Sequence, residues 1–269
     1  MSRLCVIVPT YNEAKNLGRL LRRIEEVLHG SDFTVVVVDD NSLDGTADVA
    51  QKLNGIYGNV VLHRRARKSG LGSAIREGLS VALSMDDLER IVTMDGDMSH
   101  NPDEIPSLLC ACQGEGLVQG SRYIEKGSIS GWSMARKLMS RFANVVCRLL
   151  LRVGVHDCTG NFRVYSRGCA EAIVGCTRRK GFDWVVEAAF AARRCGFRLK
   201  EVPITFRDRR SGRTKLEVRE LVNWAFFALR TAFLPMPSSL TAANQASRVI
   251  QRSSALTVTV VDPIVSTTK

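Results

Sequence analysis

Apolar and polar positions along the chain alternate between two periods. Leu4–Val8 is an unbroken apolar run of strand length, and Leu17, Leu20, Leu21, Ile24, Val27 and Leu28 then recur at helical spacing. Thr34–Val38 is a β-branched run suited to a strand buried on both faces. Asn41-Ser-Leu-Asp-Gly45 is turn chemistry, and a short helix is expected after it. Val60–Leu62 predicts a third strand, Ser73–Leu83 a helix and Ile91–Met94 a fourth strand. Pro102 is placed for the start of the next helix, where its missing N–H is tolerated, and Leu117–Gly120 predicts a fifth strand. Strand and helix in alternation imply right-handed crossovers and an α/β fold: a doubly wound, mostly parallel sheet flanked by helices.

The second half is less regular. Trp132–Leu151 predicts a long helix, Phe162–Tyr165 and Phe197–Val202 predict strands, and Asp183–Arg194 predicts a helix between them. Leu216–Leu234 is expected to be a final amphipathic helix; after Pro235 and Pro237 the chain turns to Ser, Thr, Ala and Asn. The expected organisation is therefore one folded domain over residues 1–216, a membrane-proximal amphipathic helix over 217–237 and a mobile tail over 238–269. The start of the chain, Met1–Arg3 leading straight into a strand, reads as lacking a leader peptide. Membrane spans need about 20 apolar residues, and Leu221–Leu234, interrupted by Asn223 and Arg230, falls short.

Composition changes this picture in two respects. The net charge of +11 on 269 residues points to anionic partners. Nucleic acid is disfavoured, because aromatic residues make up only 6% and are not interleaved with the basic ones. The 8 cysteines lack CxxC spacing, and several lie in apolar runs, so free thiols are expected rather than a zinc site or disulfide frame.

Ligands of a doubly wound sheet sit at the carboxyl ends of its strands, and the polar clusters fall there. The first strand ends in Pro9-Thr-Tyr-Asn-Glu13, the second in Asp39-Asp40, the fourth in Asp95-Gly-Asp97 and the fifth in Gly120-Ser-Arg122. Asp95 and Asp97 two apart after a strand are hard oxygen donors suited to Mg²⁺ or Mn²⁺ beside a diphosphate; a solvated turn is the alternative. Asp40 is either a ribose or base acceptor or a turn aspartate, and Glu13 either a site residue or an ordinary first-turn acid. Arg207, Arg209, Arg210, Arg213, Lys215 and Arg219 surround Gly212, forming either a loop that closes over phosphates or a solvated basic run. Arg136 and Ser140 share a helix face and, with Arg122, suit a second phosphate. No G-x-x-x-x-G-K-[ST] loop is present, and Gly70-Leu-Gly72 does not make a dinucleotide fingerprint.

VIVPTYNE, VVDDNSLDGT, MDGDMSH, GSRY, TGNFRVY and EVPITFRDRRSGRTKL occur in that order. Together they resemble the family-2 glycosyltransferases of GT-A fold, in particular their dolichyl-phosphate mannosyltransferase group. The resemblance implies a metal-dependent, inverting transfer of mannose from GDP-mannose to dolichyl or polyprenyl phosphate, with glucose from UDP-glucose the alternative. It implies that Pro9, Tyr11 and Glu13 line the nucleotide, that Val38 and Asp40 lie near base and ribose, and that Asp95, Gly96 and Asp97 handle diphosphate and a Mg²⁺ or Mn²⁺ ion. Asp97 and Arg122 are then the expected catalytic residues, with Arg122 between sugar and acceptor. Arg136 and Ser140 would hold the lipid phosphate, and Arg209 and Lys215 would come from a loop covering the donor diphosphate. Ser99 stands where some relatives use Gln as a metal ligand, and Thr214 where relatives often have Ser. Many relatives carry membrane helices after this domain. Here the implied form is peripheral, on the cytosolic face of a membrane, with a small membrane-anchored partner subunit and Trp224, Phe226, Phe227 and Phe233 either dipping into the interface or packing on the domain.

Overall fold

The computed structural model describes residues 3–114 and 116–208. The expected helix over 216–234, the tail and the basic residues from Arg209 onward lie outside the described residues.

The predicted alternation is realised as β1 (Arg3–Thr10), α1 (Ala14–Val27), β2 (Phe33–Asp39), α2 (Thr46–Tyr57), β3 (Val60–Arg64), α3 (Leu71–Leu83) and β4 (Leu88–Thr93). A 3₁₀ turn with Pro102 at its start leads into α4 (Ile105–Ala111), followed by β5 (Gly116–Ser121). Thereafter come β6 (Ser128–Ser130), α5 (Met134–Leu151), β7 (Arg163–Ser166), α6 (Arg167–Cys176), α7 (Trp184–Arg194), β8 (Arg198–Pro203) and β9 (Thr205–Arg207). The sheet order is β3-β2-β1-β4-β7-β5-β8, with β6 and β9 forming a small parallel pair of their own. All neighbours in the large sheet run parallel except β7, which is antiparallel to both β4 and β5.

Alternate residues of the central strands feed two cores. Leu4, Val6 and Val8 of β1, with Val35 and Val37 of β2, pack under α1, α2 and α4. Cys5 and Ile7, with Val36 and Val38, pack under α3, α6 and α7. Both faces are buried, which is why these strands read as continuous apolar runs. The connection from β1 goes one way to β2 and β3, while β4 lies on the other side of β1. The crevice where the order reverses is the expected ligand position.

The fourth and fifth strands are not neighbours, because β7 is inserted between them. Two sequence expectations needed amendment. The helix α6 was missed: Ser166 caps it by accepting from Cys169 N, but its Gly168 and Gly175 dilute the periodic signal. The long helix begins at Met134 rather than Trp132, because Ser133 takes the N-cap and accepts from Arg136 N.

Close packing between α3 and the α6–α7 connection depends on Gly72. A β-carbon there would lie 2.7 Å from Trp184 Cγ and 2.8 Å from Gly181 O. Gly72→Ala should cost about 1–3 kcal/mol by overpacking, read as a lowered urea midpoint with an unchanged m-value.

Candidate active site

Strands β1, β2 and β4 deliver their carboxyl ends to one open cleft, walled by Tyr11, Asp40, Lys68, Asp97, Arg136 and Phe182 among others. Pro9, Glu13, Asp95 and Gly96 also line it. The loops after β1 and β2 are stitched together. Asn12 takes a left-handed backbone (φ 60°) and accepts from Leu43 N at 3.2 Å, while Asn12 N donates to Ser42 Oγ at 2.9 Å. Asp44 accepts from Ala14 N at 3.0 Å, and Glu13 N donates to Thr46 Oγ1 at 2.9 Å.

The two adjacent aspartates after β2 divide the work. Asp39 is turned inward and accepts from Thr10 Oγ1 at 3.0 Å and Ser42 N at 2.9 Å, so it braces the loops. Asp40 faces the cleft and pairs with Arg65. Burial pushes the Asp40 carboxyl above its ordinary range, and the Arg65 guanidinium opposes that rise. Arg65 is itself buried and donates to Ser73 Oγ at 2.6 Å and to Glu77 at 3.1 Å. Nearby, Lys68 lies over the Tyr11 ring at 3.9 Å from its centroid.

The Asp95–Asp97 turn is held from below. Asp95 N donates to His100 Nδ1 at 3.1 Å, and His100 stacks on Phe162 with centroids 5.1 Å apart. An Nδ1 that accepts a proton cannot carry one, so the ring is neutral, in keeping with the burial that lowers its pKa. Asn161 donates to Asp95 Oδ1 at 2.9 Å, and Ser99 N to Asp97 Oδ1 at 3.0 Å. Gly96 is closely fitted: a β-carbon would lie 3.2 Å from Pro9 O, tighter than an ordinary contact. The carboxylates of Asp95 and Asp97 suit a hard divalent ion that keeps substrate oxygens in its shell. The Ser99 hydroxyl, buried next to them, has no hydrogen-bond partner. Among the described residues no set of three or more His, Cys, Asp or Glu side chains is grouped to hold a metal by itself.

Arg122 lies to one side, buried, and is not among the residues lining the cleft. It donates from Nε and Nη2 to the two oxygens of Asp157 at 2.7 and 2.8 Å, and from Nη2 to Thr159 Oγ1 at 2.6 Å. Burial alone would raise the Asp157 carboxyl, but the guanidinium and surrounding N–H donors hold it below the usual range. Arg122 and Arg136 share the Trp132 ring, at 5.4 and 4.0 Å from its centroid. Tyr123, beside Arg122, donates to Ser140 Oγ at 2.6 Å. Arg122, Arg136 and Ser140 thus belong to one connected flank, with Arg136 alone of the three reaching the cleft wall. Arg136 also meets Asp208 at 3.2 Å.

Of the residues singled out in the sequence, Pro9, Tyr11, Glu13, Asp40, Asp95, Gly96, Asp97 and Arg136 share the cleft. Val38 does not: its side chain is fully buried in the core that packs under α3. Arg209 and Lys215 lie outside the described residues. Sequence reasoning overlooked Arg65, Lys68, Trp132, Asp157 and Phe182. For Arg65 and Lys68 the signal was available, as a basic run directly after a strand; Asp157, in an irregular connection, gave none.

The acids stand at the switch point of a GT-A-like sheet, on a cleft that Arg136 also lines. Solved structures share the fold. Glucosyl-3-phosphoglycerate synthase from Mycobacterium tuberculosis, crystallised with Mn²⁺, UDP-glucose and phosphoglyceric acid, aligns with a TM-score of 0.61 at 18% identity, over 86% of this chain and 79% of that one. Mannosyl-3-phosphoglycerate synthase from Rubrobacter xylanophilus aligns with a TM-score of 0.52 at 16% identity, over 97% and 77%. Residues 5–174 match the model of glycosyl transferase family 2, and the chain belongs to that family. It is 37% identical over 217 residues to the polyprenol monophosphomannose synthase of Mycolicibacterium smegmatis, spanning 80% of this chain and 81% of that protein. It is 36% identical over 215 residues to the undecaprenyl-phosphate mannosyltransferase of Micrococcus luteus, spanning 80% and 87%.

Asp157→Asn should lower stability by about 3–5 kcal/mol at pH 7, because it leaves Arg122 buried without its counter-ion. The folded-state carboxyl lies below its unfolded value of about 3.9. Its stabilisation is therefore complete above that pH and lost as pH falls through the folded value, so urea midpoints of the two chains should converge in acid.

Proposed function

We propose that this protein transfers mannose from GDP-mannose to a polyprenyl phosphate such as dolichyl phosphate, inverting the anomeric centre. The observation that carries the reading is the shared cleft, which Asp40, Asp95, Asp97 and Arg136 all line. The names of the relatives supply the sugar and the lipid.

On this reading Asp40 and Tyr11 receive the nucleoside, with Arg65 fixing the Asp40 carboxylate. Asp95 and Asp97, with the unpartnered Ser99 hydroxyl close by, would hold Mg²⁺ or Mn²⁺, which neutralises charge on the departing nucleoside diphosphate. The acceptor phosphate monoester is already ionised at neutral pH, so one of its oxygens attacks the anomeric carbon directly, and no side chain has to remove a proton. Arg136 orients that phosphate; its Nε is buried and unpartnered, a donor still to be used. Arg122, neutralised by Asp157, stiffens the wall behind Arg136 and Ser140 rather than adding free charge. Arg209 and Lys215 are proposed to reach the donor diphosphate from the segment that follows.

A membrane surface is the proposed setting, on its cytosolic face. No helix among the described residues is long and apolar enough to cross a bilayer. However, α5 exposes Met134, Leu138, Phe142, Val145 and Leu149 at successive turns of one face. Arg141, Arg148 and Arg152 are exposed alongside. An apolar stripe flanked by arginines fits the interface of an anionic bilayer. The helix proposed for 217–237 and a small membrane-anchored subunit would add to that hold.

Purified protein given polyprenyl phosphate and either labelled GDP-mannose or labelled UDP-glucose should transfer mannose; transfer of glucose alone would overturn the sugar assignment. Asp97→Ala should reduce turnover by at least about 10³-fold without loss of the fold, whereas Arg136→Ala should chiefly raise KM for the lipid phosphate. Sedimentation with anionic vesicles checks the surface: Phe142→Asp with Leu149→Asp should abolish binding while leaving transfer to a short, water-soluble polyprenyl phosphate intact.

A further inference from the structure

Away from the cleft, two cysteines meet at the ends of α6 and α7. Cys176 is the last residue of α6 and Cys195 caps the end of α7. Their sulfur atoms are 3.8 Å apart, with the buried Ala191 packed against them. All 8 cysteines are free thiols, and this contact between two of them plays no part in the reaction proposed above. Cys176 is buried, whereas Cys195 is partly open to solvent.

We propose that Cys176 and Cys195 are a reversible oxidation site, closed by hydrogen peroxide into a disulfide between the ends of α6 and α7. The two thiols have different parts. The two sulfurs share a hydrogen bond that either thiol can donate; that bond and Arg194 nearby favour the Cys195 thiolate, while the bond and burial push Cys176 up. Cys195, the sulfur partly open to solvent, is the attacking thiolate, and the buried Cys176 is the resolving thiol. The Cys195 thiolate attacks one peroxide oxygen, the O–O bond breaks, and hydroxide leaves a sulfenic acid on Cys195. Cys176 sulfur then attacks the sulfenic sulfur; the S–O bond breaks, the Cys176 proton goes with the departing oxygen, and water is released. Two thiols are oxidised and one peroxide is reduced to two waters. The sulfur atoms already touch, so closure to about 2.05 Å asks for side-chain torsion.

The bond would enclose the segment 177–194. Its turn accepts from α3: Lys180 O and Gly181 O accept from Ser73 N and Gly72 N at 3.1 and 3.2 Å. Phe182 from that turn lines the cleft. Oxidation thus ties off the segment that carries one wall of the site, without placing the sulfurs in it.

Full-length protein is treated with stoichiometric hydrogen peroxide, and its free thiols are then blocked before mass spectrometry and peptide mapping without reductant. The expected result is loss of two hydrogens per chain, a peptide pair joined through Cys176 and Cys195, and a Tm that rises and returns on adding dithiothreitol. Cys195→Ser and, separately, Cys176→Ser should each abolish the linked pair and the Tm shift while unoxidised transfer activity stays at the wild-type level. A linkage through another pair, or Cys195 as sulfinic acid beside a reduced Cys176, would overturn the proposal.

Discussion

The ion pair between Arg122 and Asp157 is the joint on which both sides of the cleft turn. Asp157 accepts from the backbone and guanidinium of Arg122, and also from Thr159 N and Gly160 N at 3.2 Å. These bonds fix a connection that has no regular structure of its own. Four residues beyond Asp157 stands Asn161, which donates to Asp95. A single bonded chain therefore runs from the arginine behind the acceptor flank to an acid of the DGD turn. Glu201 at the sheet edge reinforces it by accepting from His156 N and Asp157 N at 2.9 and 3.1 Å. Charge buried at this depth is costly unless fully paired, so the geometry it enforces has few alternatives.

The inserted antiparallel strand gives that chain its purpose. β7 runs from the Asp157–Asn161 connection back between β4 and β5. Its Arg163 is completely buried and is satisfied by neutral acceptors: Gln119 Oε1 at 2.6 Å, Val185 O at 2.7 Å and Cys158 O at 3.1 Å. One side chain in the middle of the sheet thus ties together β5, α7 and the loop before β7. Had β4 and β5 been neighbours, Asn161 would not enter the sheet beside Asp95, and the DGD turn would lose its lateral support.

That difference also explains what could be read from the chain alone. The parallel half announces itself because β1 and β2 carry long apolar runs and β1, β2 and β4 each end in acids or turn residues. Asp40, Asp95 and Asp97 were legible for that reason: a rigid strand immediately before a carboxylate leaves little doubt about where it is delivered. Val38 was misjudged as a cleft residue because strand alternation sends its side chain to the opposite core. Asp157 was illegible because its partner is 35 residues away and no periodicity surrounds it. Arg65 was passed over as one cation in a basic run, since only the fold shows that it is buried against Asp40 while its neighbour Arg64 is exposed.

Helix α5 shows how one element can serve three environments. Cys147 and Leu151 on its inner side pack with Val186, Ala189 and Phe190 of α7, which sets the helix against the domain. In its first turn, Arg136 reaches the cleft wall. The remaining face carries Phe142 and Leu149, 68% and 70% exposed, an apolar stripe of the kind that marks an interaction surface. On the proposed reading these three demands have one origin. The nucleotide sugar arrives from water and the acceptor phosphate is tethered to a lipid, so the residue that receives the phosphate must sit on the element that touches the bilayer. Placing Arg136 near the start of α5, with the apolar stripe along the same helix, couples docking depth to the height of the acceptor phosphate. A helix that lay deeper or shallower by one turn, about 5.4 Å, would carry Arg136 away from the head group it is meant to hold.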